Sequence, residues 1–288
     1  MRRISLVLLS ATALSAGAVQ NTAAGPASVS PMWSGFYIGG NVGYSSGNAD
    51  VTVSGLNIGG VPLPGNASSS LKPNGAIGGF QAGYNWQFSP NWLAGFETDF
   101  QWTSQGDAVS NNATFSSSSC FGLGSPTCSA SASGNATLHT SINWLGTVRA
   151  RFGYVADRTL FYGTGGLAYG RVFHSLAGAL AGRFFDSGNC EGPSGCAFTG
   201  NVLANGSAIN VGWVLGAGIE SFVPNSNYIT WRIEYLYVDL GTINDSVPFG
   251  ATVTIPSLGS ASFVGTTSYS AHVTDQIFRA ALSVKFQP

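Results

Sequence analysis

The sequence predicts an all-β protein: eight antiparallel strands closed into a transmembrane up-and-down β-barrel, with four long loops at one end and three short turns at the other. Three observations carry this prediction. Charged residues make up 8% of the chain, against about 25% in an ordinary soluble domain, and Ser, Asn, Thr and Gly supply the polarity instead. No stretch beyond the N-terminus approaches the roughly 20 consecutive apolar residues that a spanning helix needs. A period-two alternation of apolar and polar side chains recurs eight times, as it does in strands that face lipid on one side and a lumen on the other.

The N-terminus reads MRRISLVLLSATALSAGAVQ: two arginines, a short apolar core, then small residues. This predicts a signal peptide over residues 1–24, cleaved near Ala18 or Ala24. A membrane anchor is the alternative, but the apolar run is too short and small residues follow it. Residues 25–33 are expected to form a short periplasmic segment and residues 34–288 the barrel.

The strand segments follow in order. In 34–44, Phe36, Ile38, Val42 and Tyr44 share one face, opposite Tyr37, Gly39, Asn41 and Gly43. In 79–88, Phe80, Ala82, Tyr84 and Trp86 oppose Gln81, Gly83, Asn85 and Gln87. In 91–102, Ala94, Phe96, Thr98, Phe100 and Trp102 oppose Gly95, Glu97, Asp99 and Gln101. In 139–154, Trp144, Val148, Ala150, Phe152 and Tyr154 oppose Asn143, Thr147, Arg149 and Arg151. Segment 159–170 is glycine-rich, with Phe161, Leu167 and Tyr169 opposite Tyr162, Thr164 and Ala168. In 210–221, Val211, Trp213, Leu215, Ala217 and Ile219 oppose Gly212, Val214, Gly216, Gly218 and Glu220. In 228–238, Ile229, Trp231, Ile233, Tyr235 and Tyr237 oppose Arg232, Glu234 and Leu236. In 276–286, Phe278, Ala280, Leu282, Val284 and Phe286 oppose Arg279, Ala281, Ser283 and Lys285.

The connections alternate short and long. Tight turns are expected around Pro90, over 155–158 and over 223–227; the loops 45–78, 103–138, 171–209 and 239–275 are long and rich in Gly, Ser, Asn and Thr. Outer-membrane barrels join strands in this way, with short periplasmic turns and long outer loops. Both chain ends would then be periplasmic. A soluble β-sandwich needs neither loops gathered at one end nor so large an aromatic, uncharged outer face.

Position parity turns the few strand charges inward: Glu97, Asp99, Glu220 and Glu234 against Arg149, Arg151, Arg232 and Arg279, four acids and four bases. On a lipid face a mid-membrane arginine costs about 2–4 kcal/mol, whereas in a lumen its planar fork can hold carboxylates bidentately. A layered ionic network is therefore expected, with Glu220 lower than the rest. An eight-stranded barrel is just wide enough for side chains to fill it, which favours a sealed plug. A narrow ion path is the alternative, because Gly39, Gly43, Gly83, Gly216 and Gly218 also point inward and leave space.

WSGFYIGGNVGY (33–44), GFQAGYNWQ (79–87), INWLGTVRARFGY (142–154), LFYGTGGLAYG (160–170), WRIEYLYVDLG (231–241) and FRAALSVKF (278–286) resemble the small porin-like outer-membrane β-barrel proteins of Gram-negative bacteria, particularly the RopB-type surface proteins. The resemblance covers nearly all of the mature barrel and leaves out the long loops. It implies an integral outer-membrane protein with a mainly structural, surface-exposed role in the envelope. Outer-membrane lipid and lipopolysaccharide are the expected partners, and no cofactor is expected. A porin-like channel, or a surface receptor or adhesin acting through its loops on an unknown ligand, are the alternatives. Members usually end on an aromatic residue read by the barrel-assembly machinery. Phe286 would play that part, although Gln287 and Pro288 follow it here.

Cys120 and Cys128 fall in the second long loop, Cys190 and Cys196 in the third. The even count and local spacing suggest two loop-closing disulfides in an oxidising compartment, with cross-loop pairing left open. No histidine neighbours them and neither pair is C-x-x-C, so no metal site is expected. GTGGLA (163–168) matches a loose dinucleotide pattern but lies within a strand, without the helix that pattern needs. With a net charge of −1, no nucleic-acid partner is indicated. His139, His174 and His272 are expected as solvated residues at the rim, His139 and His174 on neighbouring strands. A ligand such as haem at that rim is the sharper alternative. No enzyme is expected, because serines are abundant everywhere and abundance does not make a triad.

Overall fold

The structure, a computed structural model, describes residues 32–58, 61–117, 128–186, 196–255 and 259–286. The signal-peptide segment, Cys120, Cys190 and the C-terminal Gln287 and Pro288 lie outside the described residues. Nine strands are present among them: β1 (Gly35–Ile58), β2 (Val61–Leu71), β3 (Asn74–Ser89), β4 (Trp92–Ser117), β5 (Cys128–Ala156), β6 (Thr159–Asp186), β7 (Cys196–Phe222), β8 (Ile229–Ile255) and β9 (Gly259–Phe286). Every pairing is antiparallel, and β1 pairs with β9, so the sheet closes on itself.

The ninth strand is a break rather than an addition. β2 and β3 pair with the same side of β1 in one continuous register, Ala49↔Leu71 above and Ser46↔Asn74 below. Pro73 stands between them; it has no N–H to give to the ladder, but its carbonyl still accepts from the Gly47 amide at 2.7 Å. The ring therefore has eight positions, one of them occupied by β2 and β3 in line.

The short turns fall where the sequence places them, between Ser89 and Trp92, between Ala156 and Thr159, and between Phe222 and Ile229. Asp157 and Asn225 take positive φ there, 53° and 61°, which short side chains able to bond locally tolerate. Arg158 ties two of these turns together. Its guanidinium donates to the Asn227 Oδ1 at 3.1 Å and to the Ser226 carbonyl, and lies 5.2 Å from the Phe222 ring centroid.

The regions expected to be long loops are largely β-structure, which corrects the sequence reading. The strands run on as hairpin arms well beyond the apolar band, for example from Trp102 to Ser117 on β4 and from Thr140 back to Cys128 on β5. Their Ser, Asn and Thr content reflects a change of solvent, not a loss of strand. On β9 the outward residues change from Phe286, Val284, Leu282 and Phe278 to Gln276, Thr274, His272 and Ser270. The inward ones change from Lys285, Ser283 and Arg279 to Ile277, Val273, Ala271 and Tyr269. The pleat keeps its period of two, while the chemistry of the two faces inverts.

The ring is laddered all round only within the band. β7–β8 pairing stops at Trp213↔Asp239, and β3–β4 pairing stops at Asn74↔Gly106. Above these points the described pairings divide into two four-stranded leaves, β4–β5–β6–β7 and β8–β9–β1–β2. The leaves share one apolar interior that includes Val51, Leu71, Ile142, Val172, Ile243, Tyr269 and Val273. Bulges lie at the root of both, between Trp102 and Gln105 and between Ile142 and Trp144 in one leaf, and between Asp239 and Thr242 in the other. The bulge in β5 shifts its side-chain parity. As a result Asn143, expected on the arginine face, is exposed.

Candidate functional site

Three side-chain layers fill the barrel. The turn end is closed by Trp33, Leu93, Val155, Leu160, Tyr162 and Phe222. Trp33 belongs to the segment expected to precede the barrel, yet it is fully buried, with its ring 4.6 Å from that of Phe222. The arm end is closed by the apolar interior of the leaves. Between them lies the charge layer.

The structure brings together all eight charges that parity turns inward. Glu97 on β4 faces Arg149 on β5 in register, and the two meet at 2.5 Å. Arg149 also reaches Asp99 at 2.9 Å and Glu234 at 3.0 Å. Arg279 closes the ring from β9, 2.8 Å from Asp99 and 2.5 Å from Glu234. Arg232 reaches Glu97 at 2.5 Å. Arg151 spans Glu97 at 3.5 Å and Glu220 at 2.7 Å, which joins the lower acid to the rest. These side chains are 0–1% exposed.

Hydroxyl groups complete the acceptors. Tyr37 donates to Glu97 at 2.6 Å, Tyr162 to Glu234 at 2.9 Å and Thr230 to Glu220 at 2.8 Å. The Arg151 guanidinium lies 3.9 Å from the Tyr162 ring centroid, a cation–π contact in a desolvated setting. A buried charge is tolerated only when paired and hydrogen-bonded, and each carboxylate of this layer meets at least one arginine. The tyrosines carry the inward parity of their strands, so alternation alone could have found them.

The inward glycines do not leave the space expected of them. A Cβ on Gly83 would lie 2.4 Å from the Tyr37 hydroxyl, and one on Gly218 would lie 2.6 Å from the Tyr162 hydroxyl. Glycine here makes room for the tyrosines that cross the lumen.

Two further buried charges join these eight. Lys285 sits at the turn end with its Nζ 4.8 Å from the Trp33 ring centroid and 5.3 Å from that of Tyr37. Asp275 sits above the network, where Ser45 and Gln105 donate to it. Lys285 has the right parity but no carboxylate in contact; Asp275 falls in a segment read as loop. With them the buried charges among the described residues become five acids and five bases.

The histidines depart from expectation. His139 is partly exposed and His272 exposed. His174 points inward and is buried, stacked on Tyr269 at 4.3 Å between centroids, with its Nε2 3.2 Å from Asp245. It does not meet His139, whose ring neighbour is Phe173. Cys196 is disulfide-bonded; the Cys128 side chain, like Cys120 and Cys190, lies outside what the structure describes, and so does the pairing. Phe286 is half exposed on the outer face, opposite Phe36 of β1. No group of three metal-ligating side chains occurs among the described residues.

The outer face of the band is apolar and ringed by aromatics. At the turn end Trp92 packs on Phe152, centroids 5.2 Å apart; at the arm end Phe100 packs on Trp144 at 5.5 Å and Trp213 on Tyr237 at 5.5 Å. Two such girdles around an apolar belt are how a barrel meets the two interfaces of a bilayer.

The chain is similar to known outer-membrane proteins. The family described as outer membrane protein beta-barrel domain matches residues 6–273. The chain is 34% identical over 220 residues to the 31 kDa outer-membrane immunogenic protein of Brucella melitensis, covering 74% of this chain and 73% of that protein. It is 28% identical over 214 residues to the 22 kDa outer membrane protein of Rhizobium leguminosarum bv. viciae, covering 74% and 67%. Among solved structures it resembles the outer membrane protein OprG of Pseudomonas aeruginosa at 12% identity, with a TM-score of 0.40 over 88% of this chain and 97% of that one.

Proposed function

Because the chain belongs to the outer-membrane β-barrel protein family, we propose that it is a sealed structural barrel of the envelope that carries its surface function on the hairpin arms. The observation that carries this reading is the order of the interior layers. A fully paired charge layer lies between two apolar plugs, one built on Trp33 and Phe222 and one on the leaf interior. An ion crossing it would have to leave water at both plugs and break arginine–carboxylate pairs between them, and each step is costly in a low-dielectric interior. The arms, polar on the outside and apolar within, suit a surface-exposed structure, in keeping with a relative named as immunogenic.

On this reading residues 1–24 direct export, the short turns and both chain ends face the periplasm, and the arms face outward among lipopolysaccharide. Phe286, on the outer face beside Phe36, is the residue offered to the assembly machinery.

Single-channel recording of the refolded barrel in a planar bilayer tests the proposal, with Arg149→Ala alongside. The expected record is silent for the native chain. Reproducible ion-selective steps that change on substitution would overturn the sealed-barrel reading in favour of a charge-lined channel.

A further inference from the structure

Among the described residues no strand pairing crosses the seams between the two leaves. Side chains join them instead. At the β7–β8 seam, beyond the last laddered pair, Asn210 donates to the Leu240 carbonyl at 3.2 Å. At the β2–β4 seam, the Lys72 amide donates to Asp107 at 2.7 Å. In the middle stands His174 of β6. It stacks on Tyr269 of the opposite leaf, interplanar angle 9°, and bonds Asp245 of that leaf; Thr140 of β5 reaches the Tyr269 hydroxyl at 3.5 Å.

Each seam has one proline-bearing side, Pro62 and Pro64 on β2 and Pro248 on β8, while the facing stretches of β4 (107–117) and β7 (196–212) have none. A proline withholds the donor that a ladder needs. The bulges at the root of each leaf, and Gly241 at φ 72° beside one of them, place irregular backbone where a leaf would swing.

We propose that the outer half of the barrel is a two-leaved clasp latched by His174, and that protonation of this imidazole releases the latch. With Nε2 donating to Asp245, Nδ1 is a bare acceptor, buried and without a hydrogen-bond partner among the described residues. A neutral imidazole tolerates that. An imidazolium carries a proton on both nitrogens, so the Nδ1–H would be a buried donor with nothing to meet it. The leaves relieve the mismatch by parting and admitting water.

The surroundings set the direction. The titratable groups facing His174 are Asp245 on β8 and Tyr269 on β9; β5 offers Thr140 and β7 offers Gly206. From β1, β2 and β4, Val51, Leu71 and Val109 line the same interior, and the buried polar groups of β1 and β4, Ser45 and Gln105, bond Asp275 at its base. Burial pushes the imidazole below its ordinary range, and Asp245 draws it only part of the way back. A histidine with a lowered folded-state pKa contributes stability that is complete above about pH 6.5 and is lost as the pH falls through the folded value. The clasp is therefore closed at neutral pH and opened by acid. Asp245 is partly exposed, which gives the proton a route in.

Hydrogen exchange of the full-length protein in lipid nanodiscs tests this at about pH 7.5 and about pH 5, after correction for the intrinsic pH dependence of exchange. On acidification the backbone of β6 and β9 beyond the band should open up to about tenfold more for each pH unit between about 6.5 and the lower folded-state value, and level off below it, while the band stays protected. His174→Phe and His174→Gln should both abolish the pH dependence. His139→Gln and His272→Gln should retain it. The clasp is overturned if the native arms keep the same protection at both pH values, or if either His174 variant opens with acid as the native chain does. Should both variants fail to fold, the imidazole NMR titration of the native chain decides. Arm opening that tracks His174 supports the latch, and opening that does not track it refutes it.

Discussion

Glu97 and Arg149 stand directly opposite each other on neighbouring strands, with their side chains 2.5 Å apart and neither exposed. From this pair the charge layer extends in one direction to Asp99, Glu234 and Arg279, and in the other to Arg232, Arg151 and Glu220.

Breaking this layer on both sides should cost less than the two single breaks added together. Arg149→Met leaves Glu97, Asp99 and Glu234 short of a cation and is expected to destabilise the barrel by about 3–5 kcal/mol. Glu97→Gln should cost a comparable amount by stranding Arg232. The double variant should cost less than the sum, because neighbours in one network couple. Denaturant unfolding in lipid vesicles measures all three.

The bulge in β5 predicts an asymmetry in tolerance to charge. Leu167, 60% exposed within the apolar band, should lose about 2–4 kcal/mol on replacement by Arg. Asn143→Arg should be near neutral, because the bulge turns this position outward at the polar rim. Equal costs at the two positions would mean that Asn143 lies on the inward face after all.

Trp33 should behave as part of the barrel rather than of the segment before it. Trp33→Ala removes a fully buried ring and is expected to cost about 3–5 kcal/mol. It should also uncover Lys285, the amine beneath it. Amine acylation followed by mass spectrometry should show Lys285 protected in the native chain and modified in the variant.

Close backbone approach fixes two glycines. A Cβ on Gly79 would lie 2.0 Å from the Phe100 carbonyl oxygen, and one on Gly212 would lie 1.8 Å from that of Asp239. Gly79→Ala and Gly212→Ala should each destabilise by about 1–3 kcal/mol through forced separation of neighbouring strands. Gly250→Ala, where a Cβ meets nothing within 4 Å, should not. Thermal unfolding followed by heat-modifiable gel mobility distinguishes them.

Alternation alone predicted the inward face of Glu97, Arg149, Arg232 and Arg279, because the pleat assigns sides locally, residue by residue. It failed at Asn143, where an extra residue in one strand shifts the parity without any mark in the local pattern. It failed again at Asp275 and His174. The arms follow the same pleat with reversed chemistry, so a search for apolar-out strands reads them as loop.

The sequence by itself determined a β-protein with lipid-facing strands, its three tight turns and the side on which most band residues lie. These follow from composition and a period of two, which need no knowledge of neighbours. The tertiary structure decided which carboxylate meets which arginine, that Tyr37 and Tyr162 fill the room left by glycine, and that Trp33 closes one end. It also decided that the outer half divides into two leaves held by His174. All of these depend on register and curvature across strands far apart in the chain, and only closure of the ring brings those strands together.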